Sequence, residues 1–178
     1  MAILGYVLTA LNYGCFITSR FLREKKWIVT LDVMAKILLI CALLCFNSLT
    51  GSYNMLISLI MLIILNIKER KAPDKKWITP WALLEIALLL VFIFTYDGLP
   101  SILVWFTSTV TIWHTWFMPP QIMRIIGGWN GILFFIYQML IKNWVGVLEL
   151  LVITSNFVAY YKYKKIFKEE KEKLNENN

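Results

Sequence analysis

Residues 37–45 read ILLICALLC and residues 56–65 read LISLIMLIIL. Neither run alternates apolar with polar positions, as a lipid-facing β-strand must. Both sit inside longer apolar stretches. Crossing a hydrocarbon core of about 30 Å takes roughly 20 residues at about 1.5 Å rise each. Only helices and closed barrels satisfy every backbone group in lipid, and the missing alternation selects helices. The expected fold class is an all-α membrane protein.

The remaining composition agrees. Of 178 residues, 59% are hydrophobic and 16% charged, with a mean hydropathy of +0.65. Soluble domains carry roughly 45–50% apolar and about 25% charged residues. The net charge of +7 sits beside apolar segments, where bases set topology and attract anionic lipid, so nucleic acid is not an expected partner. Cys15, Cys41 and Cys45 lie in apolar runs and read as small packing residues. No metal-ligand set or cofactor motif accompanies them, and none is expected. The apolar run at residues 1–14 has no basic stretch before it. Its bases follow, at Arg20, Arg23, Lys25 and Lys26, which suits a retained first span rather than a cleaved signal.

The pattern predicts seven spans, at about 3–19, 28–47, 52–67, 78–95, 99–118, 124–140 and 143–161. The breaks between them carry turn chemistry. Residues 48–51 form a short turn, and residues 68–76 a charged loop with Pro73. Asp97–Gly98 precedes Pro100, Pro119–Pro120 ends the fifth span, and Lys142–Asn143 is a minimal hinge. The charged tail reads as a helical extension. With the N-terminus outside, 16 of the 18 bases fall on the inner side and Lys142 alone falls outside. That asymmetry matches the positive-inside rule and predicts an N-out, C-in chain.

Seven spans divide as three, one and three. Residues 1–71 form one triplet, 72–97 an inverting linker, 98–166 a second triplet of the same orientation, and 167–178 a charged cytoplasmic tail. Sliding Gly51 onto Gly146 brings the basic end of span 3 onto that of span 7 and Asn54 over Glu149. Parallel repeats of this kind occur in secondary transporters, with the solute between the halves.

The second half then shows Leu99–Pro100, Ser108–Thr109, Trp113, Met123–Arg124, a tight Trp144–Val145–Gly146 turn, Glu149, Asn156 and a closing stretch at 160–165. The first half adds Ser19–Arg20, Gly51 and a basic end to span 3. In these features the chain resembles the YgjV-type bacterial inner-membrane protein family. More distantly it is similar to the SWEET and PQ-loop transporters. Pro120–Gln121 stands where their dipeptide would belong, and the first half has no counterpart. The resemblance implies a multi-pass protein of the bacterial cytoplasmic membrane and suggests transport, with no implied substrate.

Polar residues at membrane depth are expensive and are candidates for function. Asp32 and Lys36 stand four apart on one helical face, within ion-pair reach. Glu149 and Asn156 share a stripe on span 7, and Thr111 and His114 continue one from Thr107 on span 5. Asn130 on span 6 and Asn54 on span 3 complete the pathway candidates. Each has a bland alternative, binding a neighbouring helix. Glu85 on the linker reads as such a bond. Trp129, Trp105 and Tyr13 offer rings for a sugar or nucleoside face, while Trp77, Trp81, Trp116 and Trp144 suit the interfacial belt.

Three function classes follow. The leading one is a carrier or facilitator for a small polar solute. An enzyme is not expected, because HExxH, GxSxG and Walker motifs are all missing. A scaffold whose polar groups only join helices is the alternative. The expected partners are the bilayer and a small polar solute, with homo-oligomerisation left open. An enclosed polar cavity would favour transport, and tight side-chain pairing a scaffold.

Overall fold

The fold is a computed structural model describing residues 2–71 and 77–176. Pro73, Lys75 and Lys76, and the side chains beyond Lys164, lie outside the described residues, and with them part of the loop and tail charge. The described chain holds seven α-helices: α1 (Ala2–Arg20), α2 (Lys25–Cys45), α3 (Leu49–Lys71), α4 (Ile78–Phe94), α5 (Leu99–Phe117), α6 (Pro120–Leu140) and α7 (Glu149–Glu176). A 3-10 turn (Trp144–Leu148) precedes α7, and no strand occurs among the described residues. A helix stands over each predicted segment, but two have shifted ends: α6 begins at Pro120 rather than 124, and α7 begins at Glu149 rather than 143 and runs on to Glu176, past 161. Pro120 occupies the first turn of α6, where a missing N–H and a fixed φ suit a helix start. Pro119–Pro120 therefore separates two helices, and Pro120–Gln121 belongs to α6, not to the end of α5.

Three segments are long and apolar enough to cross a membrane: Lys25–Cys45, Leu49–Lys71 and Trp144–Lys164. At 21 residues, α2 is about 31 Å long. By contrast α1, α5 and α6 carry more polar residues, and those residues point inward. Thr9 and Asn12, Thr107 and Ser108, and Asn130 and Gln138 are all buried. The outer surface is apolar: Leu11, Ile37, Ile60, Leu83, Phe106, Ile136 and Leu151 are each exposed. These polar residues share the interior with two apolar clusters, around Leu65 and Leu39, and so apolar an outer surface departs from the pattern of a protein folded in water.

The packing order explains where the interior lies. Each of α1, α2 and α3 packs on the next, α3 packs on α5, then α5, α6 and α7 follow in turn, and α7 closes on α1. Six helices thus form a ring. α4 lies outside it, against α3 and α5, and Leu88 is its one fully buried residue among those described.

Two tight turns set the spacing in the ring. After α2, Asn47 takes φ 56° and the Ser48 N–H donates to the Leu43 carbonyl at 3.0 Å. After α6, Lys142 takes φ 58° and the Asn143 N–H donates to the Gln138 carbonyl at 2.9 Å. Both are Schellman closures with a non-glycine residue in the left-handed region. They stand 95 residues apart, the same offset that superposes Gly51 on Gly146. Both glycines touch α6. A Cβ on Gly51 would strike the Tyr137 hydroxyl, and one on Gly146 the Gln138 side chain.

Candidate functional site

The ring surrounds a partly open cavity of about 80 Å³ whose lining mixes apolar surface with polar and charged groups, room for several waters at roughly 10–15 Å³ each. All six ring helices line it and α4 does not. Phe16 and Arg20 come from α1, Asp32, Lys36 and Leu39 from α2, and Met55 and Leu62 from α3. Thr107, Ser108, Thr111, His114 and Thr115 come from α5, Gly127, Asn130, Gly131 and Phe134 from α6, and Glu149, Val152 and Asn156 from α7.

Seven of the eight candidates from the sequence therefore meet at one cavity: Asp32, Lys36, Thr111, His114, Asn130, Glu149 and Asn156. Asn54 does not line it. Its amide donates to the Thr50 carbonyl of its own helix at 2.8 Å, and its neighbour Met55 faces inward instead. The 3-10 turn before α7 accounts for this. It advances about 120° per residue, against about 100° in an α-helix. Glu149 consequently runs ahead of the phase Asn54 holds on α3, by most of one residue.

The expected Asp32–Lys36 pair is not the one formed. Asp32 accepts from Arg20 Nη2 at 3.2 and 3.1 Å, on its two oxygens, and from Ser19 Oγ at 2.7 Å. The short α1–α2 turn brings Arg20 across to α2, and guanidinium geometry suits both carboxylate oxygens. Lys36 turns the other way and donates to Met55 Sδ at 2.9 Å, a weak acceptor.

Two acceptors on the α6–α7 wall have no hydrogen-bond partner. Asn130 spends its amide N–H groups on the Thr107 carbonyl and Thr111 Oγ1, each at 2.9 Å. Asn156 donates to the Val152 carbonyl at 3.0 Å. Backbone carbonyls can only accept, so both side-chain oxygens are left over, and both are buried and unpartnered. Glu149 is 6% exposed, faces the cavity, and has no described base within the 4.0 Å of an ion pair. The Tyr13 hydroxyl approaches it from α1 without hydrogen-bond geometry. Space for the carboxylate comes from Gly131, where a Cβ would lie 3.0 Å from Glu149 Oε1.

Each end of the cavity is tied across the ring. At one end Arg124, 1% exposed, donates to the Arg20 and Leu22 carbonyls at 3.2 and 2.7 Å. Its guanidinium lies 4.8 Å from the Tyr163 ring centre, and the Tyr163 hydroxyl donates to the Phe21 carbonyl at 2.6 Å. At the other end, Asn143 bridges Gln138 Oε1 at 2.9 Å and Thr9 Oγ1 at 3.3 Å, and the Tyr137 and Ser48 hydroxyls meet at 2.9 Å. Sequence reasoning missed both ties. Arg124 was read only as one of the inner-side bases and as part of the family resemblance.

Several aromatic expectations are corrected. Trp116 is 2% exposed and packs in the α2–α3–α5 core, not in an interfacial belt. Trp129 is 64% exposed and faces away from the cavity. Trp105 stacks on Phe92 of α4, with ring centres 4.9 Å apart. Neither ring therefore offers the cavity a sugar-binding face. Glu85 lies on α4, away from the cavity, and its Oε1 has no hydrogen-bond partner.

Comparison with curated proteins and with solved structures returns no match. A family model described as a bacterial inner membrane protein, Imp-YgjV, matches residues 3–166, nearly the whole chain. The apolar outer surface of the fold accords with that description: this chain belongs to the Imp-YgjV family of bacterial inner membrane proteins.

Proposed function

We propose that the chain carries a small polar solute across the inner membrane through the cavity inside its helix ring. The observation that bears most weight is Glu149, a buried carboxyl facing the cavity with no described base within ion-pair distance. A polar group at membrane depth costs free energy unless something completes it. A protein that used its polar residues only to join helices would spend them on each other. Arg124 and Tyr163 are spent in that way, and Glu149 is not. The ties at the two ends suit alternating access, in which one opens while the other holds.

In this reading all seven helices span, in a three-one-three plan with the N-terminus outside and the C-terminus inside. Support comes from the peripheral α4, from the two Schellman turns at a constant offset, and from the bases gathered at one end of the ring, Arg20, Lys25, Lys68 and Arg124 among them. The wider resemblance to SWEET and PQ-loop transporters rests on layout alone. A reporter active only in the cytoplasm, fused after Asn178, is expected to be active. Activity of a reporter that works only outside would reverse the orientation.

The function is tested by reconstituting the full chain in liposomes and measuring counterflow of labelled sugars, amino acids, vitamins and ions. Flux of one class above that of protein-free vesicles is the expected result. A folded, correctly inserted protein that moves none of them would count against transport.

A further inference from the structure

The charges facing the cavity do not cancel locally, and the way they fail to cancel narrows the solute. Asp32 and Arg20 neutralise each other at 3.1 Å, so that pair adds no net charge to the lining. Two groups are left, Lys36 at 6% and Glu149 at 6% exposure. They have opposite sign and line the same cavity, yet they stand more than the 4.0 Å of an ion pair apart. Buried charges of opposite sign, held apart around a void, each lack the partner that would offset their desolvation. Lys36 has three N–H donors and spends one on a thioether. Glu149 shares the α6–α7 wall with the unpartnered oxygens of Asn130 and Asn156. One wall therefore presents a carboxyl and spare acceptors, while the opposite wall presents an amine donor.

We propose that the cavity is a binding site for a small zwitterion carrying one ammonium and one carboxylate. Its ammonium meets Glu149 and its carboxylate meets Lys36, with the Asn130 and Asn156 oxygens left to accept from water in the same cavity. This inference deepens the transport reading and rests on it for the route of entry. A simple amine would leave Lys36 without a partner, and a simple acid would leave Glu149 without one. A polyol satisfies hydrogen bonds but neither full charge. The cavity volume favours the smallest members of the class.

The test is thermal stabilisation of the purified full chain by glycine, alanine and β-alanine, beside ethanolamine, lactate and glycerol. A ligand that binds the folded state raises its midpoint with concentration. The zwitterions should bind at least about 10-fold more tightly than the one-ended compounds, the scale of a charge-assisted hydrogen bond. Lys36→Met should shift preference towards ethanolamine, and Glu149→Gln towards lactate. That exchange would not follow from loss of folding, and the wild-type ranking stands even if one variant is unstable. Equal binding of zwitterions and one-ended compounds, or no binding of the three zwitterions, overturns the proposal. Flux is measured separately with labelled alanine. Binding without flux would refute transport and uphold the site, whereas flux of a sugar without zwitterion binding would do the reverse.

Discussion

Glu149→Gln is expected to insert and fold like the parent while losing flux by about 10- to 150-fold at low solute concentration. The magnitude is that of a charge-assisted hydrogen bond, roughly 1.5–3 kcal/mol, at about 1.4 kcal/mol per factor of ten. The amide keeps the shape of the carboxylate, and Gly131 leaves it the same space. The Tyr13 hydroxyl, a neutral neighbour of Glu149, can donate to the Gln amide oxygen as it would to the carboxylate. Stability should therefore change little while flux collapses, and this separation is what identifies a solute contact. If Glu149 instead joined helices, the substitution would lower the unfolding midpoint and spare any flux. Unchanged flux of the carried solute would remove Glu149 from the pathway.

Asp32→Ala is expected to destabilise the fold by roughly 3–5 kcal/mol, the usual cost of stranding one partner of a buried ion pair. Arg20 would be left charged beside the cavity with no carboxylate on its Nη2. Ser19 would not be stranded, because its hydroxyl also donates to the Phe16 carbonyl at 2.9 Å. Adding Arg20→Met should recover much of the loss, since removing both charges strands neither. Adding Lys36→Met should not, because Lys36 bonds to Met55 rather than to Asp32. Unfolding midpoints of the three variants in detergent decide it. Rescue by Lys36→Met and not by Arg20→Met would reinstate the i, i+4 pair.

That contrast marks how far the sequence could be read. Long apolar runs report helices because lipid leaves the backbone few alternatives, so six helices were found within a few residues, while α7 starts six residues late, after a 3-10 turn, and continues through the charged tail. The polar stripes were legible because residues four and seven apart share a helix face, which brought Thr111, His114, Glu149 and Asn156 to one cavity. Pairing between helices was not legible. Whether Asp32 meets Lys36 on its own helix or Arg20 twelve residues back depends on the turn at residues 21–24, and spacing cannot report a turn's geometry. Asn54 failed for a related reason. The offset of 95 residues matched the turns, but a 3-10 segment rotated only one of the two helices. Arg124 and Tyr163 close one end of the ring through backbone carbonyls, and a carbonyl acceptor has no sequence signature.

Water access to the interior of the ring is measured most directly by thiol labelling. Cys15, Cys41 and Cys45 are free and would be replaced by alanine, leaving a single cysteine introduced at Ser108. Ser108 is 1% exposed, lines the cavity, and its hydroxyl has no hydrogen-bond partner. A solute pathway predicts that a small charged methanethiosulfonate reagent modifies Ser108→Cys in intact membranes far faster than Leu90→Cys on the outer surface of α4. It also predicts that the carried solute slows the reaction. Labelling of Ser108→Cys no faster than at Leu90→Cys would mean that the cavity is closed to water and that the ring is not a pathway.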